Sequence, residues 1–493
     1  MSLHCLYMES PLIRSTTFRA LAVAAVFFCG AGCRHTTGES TSLRGIDVEG
    51  GSIAVSQALR GRKVERLKIM PNTSIPKGVA MSLTTVTKDV VAEVYEIIHR
   101  INVGQNLRGH TGSSQEITLI AVTPEESLYQ QLAADLRRKL NLAGSTPLPY
   151  LQKIVAPVDL DIWMQDWGEF ASAQVEGHAV PVHAILDTGR GFLYSSKTVE
   201  VFASTLGIPF IRIPLQGAAR AGSYGGNIEA TPDGRIVMGD ASVDDEVISF
   251  LTRMTGQDPI RVPTGWLQTR HVDEYLSFLP APASPCGSVL LLGSPLEGLQ
   301  ILAGAGAQEA KRAALPDPEA VQNSLRYFAD GNLDKPLRGA FWEVDMIVRS
   351  NLRAENAIRN AEAILRSTSH FCMPRVVRVP QLYYRDASQD EGGGTSPQLE
   401  QQALEAAETF TQMASLIPNA MNLLVLRDHV VVSLQRFNPK IETFKPFEKI
   451  ITARLADVLG GPEKVHFVDT HPYGFRGGGI HCGTNVIREI ITD

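Results

Sequence analysis

Cysteine is scarce in this chain: six among 493 residues, with Cys5, Cys29 and Cys33 in the first 33 and only Cys286, Cys372 and Cys482 in the body. That excludes a small disulfide-stapled scaffold, and an odd number of body cysteines leaves at least one thiol without a partner inside the body. For Cys286 and Cys372 the expectation is burial as small apolar side chains. A basic excess is missing too, since 46 Lys and Arg stand against 52 Asp and Glu for a formal net charge of -6. Nucleic acid therefore has no general electrostatic footing, and cationic ligands are mildly favoured. The N-terminal apolar run, residues 20–32, is too short to span a bilayer comfortably. No repeat of fixed period is visible, although diverged repeats of a pseudo-symmetric fold would escape such a reading. With 44% hydrophobic and 20% charged residues the chain reads as globular, and its length allows one large domain with extras or two to three ordinary ones.

What is present begins with a leader. Arg14 and Arg19 precede the apolar run, which ends on Cys33, as in a removable export signal. The stretch Gly30-Ala-Gly-Cys33 resembles the lipobox of bacterial lipoproteins, with Gly30 where a leucine-like residue is usual. It implies an exported protein, either secreted or held in the cell envelope by lipid on Cys33. Residues 1–33 are thus assigned to the leader, and 34–87 to a polar tether with a small strand-rich segment. From 88 to 493 strand-like and helix-like stretches alternate, which makes the main domain α/β or α+β.

Three stretches carry chemistry. Residues 477–485, Gly-Gly-Gly-Ile-His-Cys482-Gly-Thr-Asn, set a thiol among glycines, where a bulky substrate can approach the sulfur. Residues 269–280 hold His271 and Asp273, and residues 161–169 hold Trp163 and Asp166. A cysteine with a histidine first suggests a cysteine protease, but that leaves Asp166 without a task. Two carboxylates beside a thiol and an imidazole suit a guanidinium, whose forked N–H groups a carboxylate accepts bidentately. The thiolate would attack the central carbon, and the histidine would protonate departing ammonia and then activate water.

Trp163-Met-Gln-Asp166, His271-Val-Asp273-Glu-Tyr-Leu-Ser-Phe-Leu-Pro280 and His481-Cys482-Gly-Thr-Asn-Val486 occur in this order. Gly226-Asn-Ile-Glu229 and Pro418-Asn-Ala-Met-Asn-Leu-Leu-Val-Leu426 accompany them. This ensemble is similar to the protein-arginine deiminase family. The resemblance implies a pentein-type α/β-propeller of five pseudo-symmetric ββαβ units and the conversion of peptidyl-arginine to peptidyl-citrulline. It implies Cys482 as nucleophile, His271 as general acid and base, Asp166 and Asp273 as the guanidinium-binding pair, and Trp163, Arg190 and Arg476 as substrate contacts. It further implies at most one calcium site, with Gln165, Glu169, Glu229 and the carbonyls of Gly225 and Ile228 as ligands. At a neighbouring site Asp187 and Thr188 match, but Trp167 replaces an acidic ligand. His481 is expected to position its loop, and Arg270 stands where the family has a small residue. The partners expected are proteins or peptides containing arginine. A deiminase of small guanidines such as agmatine or free arginine, and a catalytically dead surface binding protein, remain as alternatives.

Overall fold

Strand order repeats five times along the chain: an antiparallel pair, a helical crossover, then a third strand parallel to the second. The computed structural model describes residues 63–107, 116–156, 161–190, 196–215, 217, 219–385, 412–436, 440–474 and 478–490, all within one body spanning Val48–Arg385 and Ala406–Asp493. The first repeat consists of Glu169–Val175, Val182–Asp187 and Phe210–Arg212, with helix Ser196–Leu206 before its third strand. The second contains Ile228–Ala230, Ile236–Gly239 and Ile260–Val262 around helix Asp245–Thr255. Leu276–Pro280, Ser288–Ser294 and Arg375–Pro380 form the third, whose crossover ends in the long helix Trp342–Ser367. The fourth uses Leu424–Leu426, His429–Ser433, helix Lys445–Leu459 and Val465–Val468. The fifth joins the two ends of the described chain: Thr484–Arg488 pairs antiparallel with Pro76–Ser82, which continues through helix Lys88–Leu107 to the parallel strand Thr118–Thr123. Five such ββαβ repeats are the pentein-type α/β-propeller.

The middle strand of each repeat has a neighbour on both edges and side chains covered on both faces, so it reads as an apolar run rather than an alternation. Ser288–Ser294, for example, is buried at every position. Punctuation also recurs, because Gly256 and Gly460 end the second and fourth crossover helices with left-handed φ values of 75° and 84°. Each donates its N–H back into the last helical turn, to Thr252 and Ala456 respectively.

Two expectations need correction. The boundary at residue 88 cuts through the propeller, because Val64–Ile69 pairs with Glu169–Val175 and Pro76–Ser82 is the middle strand of the fifth repeat. The cause is a pairing between chain ends, such as Met81 with Thr484, that no local pattern announces. Cys286 and Cys372 are not buried apolar groups but a disulfide, half-buried at Cys286 and exposed at Cys372. Each lies three positions before residues 289 and 375, which face one another at the start of two parallel strands, and this register brings their Cα atoms to 5.7 Å. The stretch 304–331, rich in Ala, Glu, Lys and Pro, folds as part of the third crossover, with Ala310 and Val321 in the core. The leader, Cys33 and the glycine-rich stretch 387–398 lie outside the described residues.

Replacing Cys286 and Cys372 together by serine is expected to cost about 2–4 kcal/mol in urea unfolding while leaving the propeller able to fold. An unchanged midpoint would mean that the cross-link contributes nothing.

Candidate active site

The chemical side chains share one structural address: the loop that enters the first strand of each repeat. Asp166 precedes Glu169–Val175, Gly226 precedes Ile228–Ala230, His271 and Asp273 precede Leu276–Pro280, Asn422 precedes Leu424–Leu426, and Cys482 precedes Thr484–Arg488. Pseudo-fivefold symmetry therefore converts five distant stretches into one cluster. The first and fifth loops are tied together, because the Gln165 N–H donates to the Cys482 carbonyl at 3.2 Å. The Asn485 side chain donates to the Met164 and Gly168 carbonyls at 3.1 and 2.6 Å.

His271 is buried, with Nε2 3.0 Å from the Ala221 carbonyl oxygen. A carbonyl only accepts, so Nε2 carries hydrogen and, in the neutral ring, Nδ1 is the basic nitrogen. Nδ1 lies 3.7 Å from Asp166 Oδ1. The backbone beside it is Gly226, where a Cβ would come within 2.6 Å of His271 Nδ1, 3.2 Å of Asp166 Oδ1 and 3.3 Å of Asp273 Oδ2. One glycine thus borders the imidazole and both carboxylates.

Asp273 Oδ2 accepts from Asn422 Nδ2 at 2.8 Å and from His481 Nδ1 at 2.9 Å, and the Cys482 sulfur lies 3.5 Å away. Asp273 Oδ1 is buried and accepts from nothing among the described residues. The Cys482 thiol is buried as well, and burial with the charges of Asp273, Glu274 and Asp166 pushes its pKa well above the usual thiol range. A guanidinium between these carboxylates would reverse that balance and favour the thiolate. Glu274, with Oε1 4.0 Å from the sulfur, is held protonated well beyond the ordinary carboxylate range by burial and by Asp273.

Trp163 forms a wall against the cysteine loop: a Cβ on Gly478 would come within 2.3 Å of its ring, and Tyr473 packs at 5.8 Å between ring centroids. Arg190 reaches the cluster, but in this state its guanidinium donates to Asp166 Oδ2 at 2.6 Å and to Asp161 Oδ2 at 2.9 Å, and lies over Tyr224. It holds one of the carboxylates expected to hold substrate. Arg476 lies outside the described residues. Arg270 adopts a left-handed φ of 64°, a conformation that suits the small residue expected there. His481 bridges the two halves of the site, 2.9 Å from Asp273 and 3.9 Å from Glu229. Burial lowers its pKa, but Asp273 and Glu229 outweigh this and raise it overall.

Of the expected calcium ligands, Gln165, Glu169 and Gly225 lie against one another, and Glu229 is near enough to act on Glu169. A Cβ on Gly225 would meet the Gln165 carbonyl at 2.1 Å and Glu169 Oε1 at 2.6 Å. Gln165 Nε2 donates to Glu169 Oε1 at 2.6 Å. Glu169 is raised well above the usual carboxylate range by burial and by Glu229, and burial raises Glu229 to about 7. Two buried carboxyls amid amide and carbonyl oxygens form a hard-donor set of the kind calcium takes. At the neighbouring position Asp187 accepts from the Gly189 N–H and pairs with Arg212, and the Trp167 indole is buried.

A five-repeat propeller with a thiol, an imidazole and two carboxylates gathered at its entry loops defines a pentein-fold protein. The protein-arginine deiminase family matches residues 107–493, and the chain belongs to that family. Among curated relatives, human protein-arginine deiminase type-1 is 26% identical over 355 residues, covering 67% of this chain and 46% of the relative. Mouse protein-arginine deiminase type-4 is 25% identical over 401 residues, covering 78% and 54%. The chain therefore spans about half the length of the curated relatives it matches. Among solved structures, C. jejuni agmatine deiminase aligns over 88% of this chain and 98% of its own at 12% identity and a TM-score of 0.43. The strand order, not this likeness, carries the fold.

Gly226 and Asn422 were the members of the site that the motifs did not single out, although both lie in quoted stretches. Gly226→Ala would place a methyl group where His271, Asp166 and Asp273 converge. It is expected to reduce kcat/KM for any guanidine substrate by about a hundredfold or more, as misplacement near the reacting centre does, while urea unfolding shows a folded protein. Turnover close to native would mean that the three groups do not share a substrate.

Proposed function

We propose that the protein hydrolyses arginine side chains of proteins or peptides to citrulline, releasing ammonia. The observation that supports this best is the convergence of His271 Nδ1, Asp166 Oδ1 and Asp273 Oδ2 on Gly226, beside the Cys482 thiol. A guanidinium entering past Trp163 would displace Arg190 from Asp166 and meet the open Oδ1 of Asp273. Its positive charge stabilises the thiolate as the thiol proton passes to His271 Nδ1, and the sulfur's electron pair forms a bond to the guanidinium carbon. Protonated at Nδ1, His271 gives its proton to the departing nitrogen, which leaves as ammonia. The same nitrogen then takes a proton from water as the oxygen attacks the thiouronium carbon and the thiolate departs. Export through the N-terminal leader belongs to this reading, and the Cys286–Cys372 disulfide suits an oxidising compartment. A small guanidine as substrate is the second reading, favoured by the pairing of Arg190 with Asp166 and Asp161, which leaves its guanidinium engaged rather than offered to a peptide backbone.

Calcium is part of the proposal. Gln165, Glu169, Glu229 and the carbonyls of Gly225 and Ile228 would hold it, and the ion would order the loops that carry Asp166 and Gly226.

Citrulline should form from a peptide with an internal arginine and not from free arginine or agmatine, and Cys482→Ala should abolish it. Turnover confined to the small guanidines would transfer the assignment to the second reading, and no turnover by folded protein would favour a binding role. Calcium binding at pH 7 should release protons, because burial raises Glu229 to about 7 and holds Glu169 well above the usual carboxylate range, and both must ionise to bind the ion. Calorimetric heats in buffers of different ionisation enthalpy should differ accordingly, and affinity should weaken as pH falls below 7. Equal heats, or no binding, would remove calcium from this site.

A further inference from the structure

Four of the five entry loops already have tasks: the first supplies Asp166, the second Gly226, the third His271 and Asp273, and the fifth Cys482. The fourth presents Asn419 and Asn422, both fully buried. Asn419 braces its own loop, accepting from the N–H groups of Met421 and Asn422 at 2.8 and 3.3 Å and donating to Glu274. Asn422 points elsewhere. Its Oδ1 accepts from the Cys482 N–H at 3.0 Å, and a backbone N–H can only donate, so this contact identifies the oxygen end of the amide. The NH2 end then faces two acceptors, Cys482 Sγ at 3.0 Å and Asp273 Oδ2 at 2.8 Å. Both amide hydrogens are spent on reacting groups.

The local backbone is arranged around this side chain. A Cβ on Gly479 would come within 2.8 Å of Asn422 Oδ1, so the glycine run before the cysteine is what lets the amide reach it. The His481 N–H donates to the Asn422 carbonyl at 3.2 Å, which fixes the two loops in register. Around the sulfur, burial and the charges of Asp273, Glu274 and Asp166 oppose a thiolate, and the Gly479 backbone N–H favours it. Asn422 adds an uncharged donor on the favourable side without repelling the incoming guanidinium.

We propose that Asn422 is a further catalytic residue, one that donates through Nδ2 to the Cys482 thiolate and links it to Asp273 as the sulfur attacks and again as it leaves. The inference rests on the deimination reading for its place in the reaction. No proton leaves the amide. Its hydrogen bond weakens as the sulfur's electron pair enters the C–S bond, and reforms when hydrolysis returns that pair to sulfur.

Iodoacetamide is uncharged and needs no guanidinium site, so its rate of Cys482 alkylation reports on the sulfur alone. At pH 8 that rate should fall about tenfold in Asn422→Ala, the size expected for one hydrogen bond to a charged group. It should fall further in Asn422→Asp, which keeps the acceptor for the Cys482 N–H but turns an oxygen toward the sulfur. With a guanidine substrate, kcat should fall while KM stays near native. Alkylation within twofold of native in both folded variants overturns the assignment. Should neither variant fold, native protein labelled with 15N-asparagine provides the readout: one side-chain amide pair should shift when Cys482 is alkylated, and no shift overturns the assignment. Slowed alkylation in a protein that turns over no guanidine would keep the contact to sulfur and sink the deimination reading. Unchanged alkylation with citrulline formed would do the reverse.

Discussion

Five carboxyl groups buried around one thiol set the terms for the rest of the structure. Asp166, Asp273, Glu274, Glu169 and Glu229 are all removed from solvent, where an uncompensated charge is very costly. Each is answered by a different device. Arg190 pairs with Asp166, His481 donates to Asp273, Asn419 to Glu274, Gln165 to Glu169, and Asn72 to Glu229. Deeper still lies Arg488, fully buried, its pKa lowered by burial to about 9 although Glu229 and Glu169 favour its charge. It donates to the Ser74 carbonyl and to Asn72 Oδ1, so the entry to the second strand of the fifth repeat is also part of the electrostatic frame. Closing the propeller and neutralising its centre are one structural event.

Such a frame makes the pocket selective by charge before shape matters. A neutral ligand would have to displace Arg190 and leave Asp166 exposed to the other carboxylates, whereas a planar cation replaces the guanidinium it removes. Arg190 lies over Tyr224, and Tyr224 in turn is 6.1 Å from the His271 ring, so an aromatic face borders the same cluster. Arg190 presents to Asp166 a guanidinium, the same kind of group that an arginine side chain would bring.

How far the sequence could be read depended on contact distance along the chain. Asp166, His271, Asp273 and Cys482 each sit in a contiguous run of residues whose types alone propose the chemistry, and the structure brings all four to one centre. Asn422 and Gly226 act only through partners on other loops: Cys482 and Asp273 for Asn422, His271, Asp166 and Asp273 for Gly226. No local pattern separates such an asparagine from a turn residue, or such a glycine from a flexible one. The same limit hid the fifth repeat, because Pro76–Ser82 reads as an isolated strand until Thr484–Arg488 lies beside it. The disulfide was hidden by register: the odd count of body cysteines required one free thiol, but which two pair follows from residues 289 and 375 facing one another. The propeller class came from family resemblance, since its five repeats have diverged beyond any visible period.

One arrangement links the pocket to the oxygen donors beside it. Gln165 and Asp166 lie in the short helical turn Gln165–Trp167, and Glu169 begins the next strand, so whatever fixes the Glu169 carboxyl also fixes the base of Asp166. On the other side Glu229 reaches Asp273 through His481. The two carboxylates that flank His271 are therefore each one step from a member of the same donor set. A cation held by Glu169 and Glu229 would draw negative charge away from His481 and Asp273 on one side, and stiffen the turn under Asp166 on the other. Both effects would fall on Asp166 and Asp273, and neither requires the ion to touch substrate. Its leverage would come from the propeller's placing of Glu169 at the first position of one entry strand and Glu229 at the second position of the next.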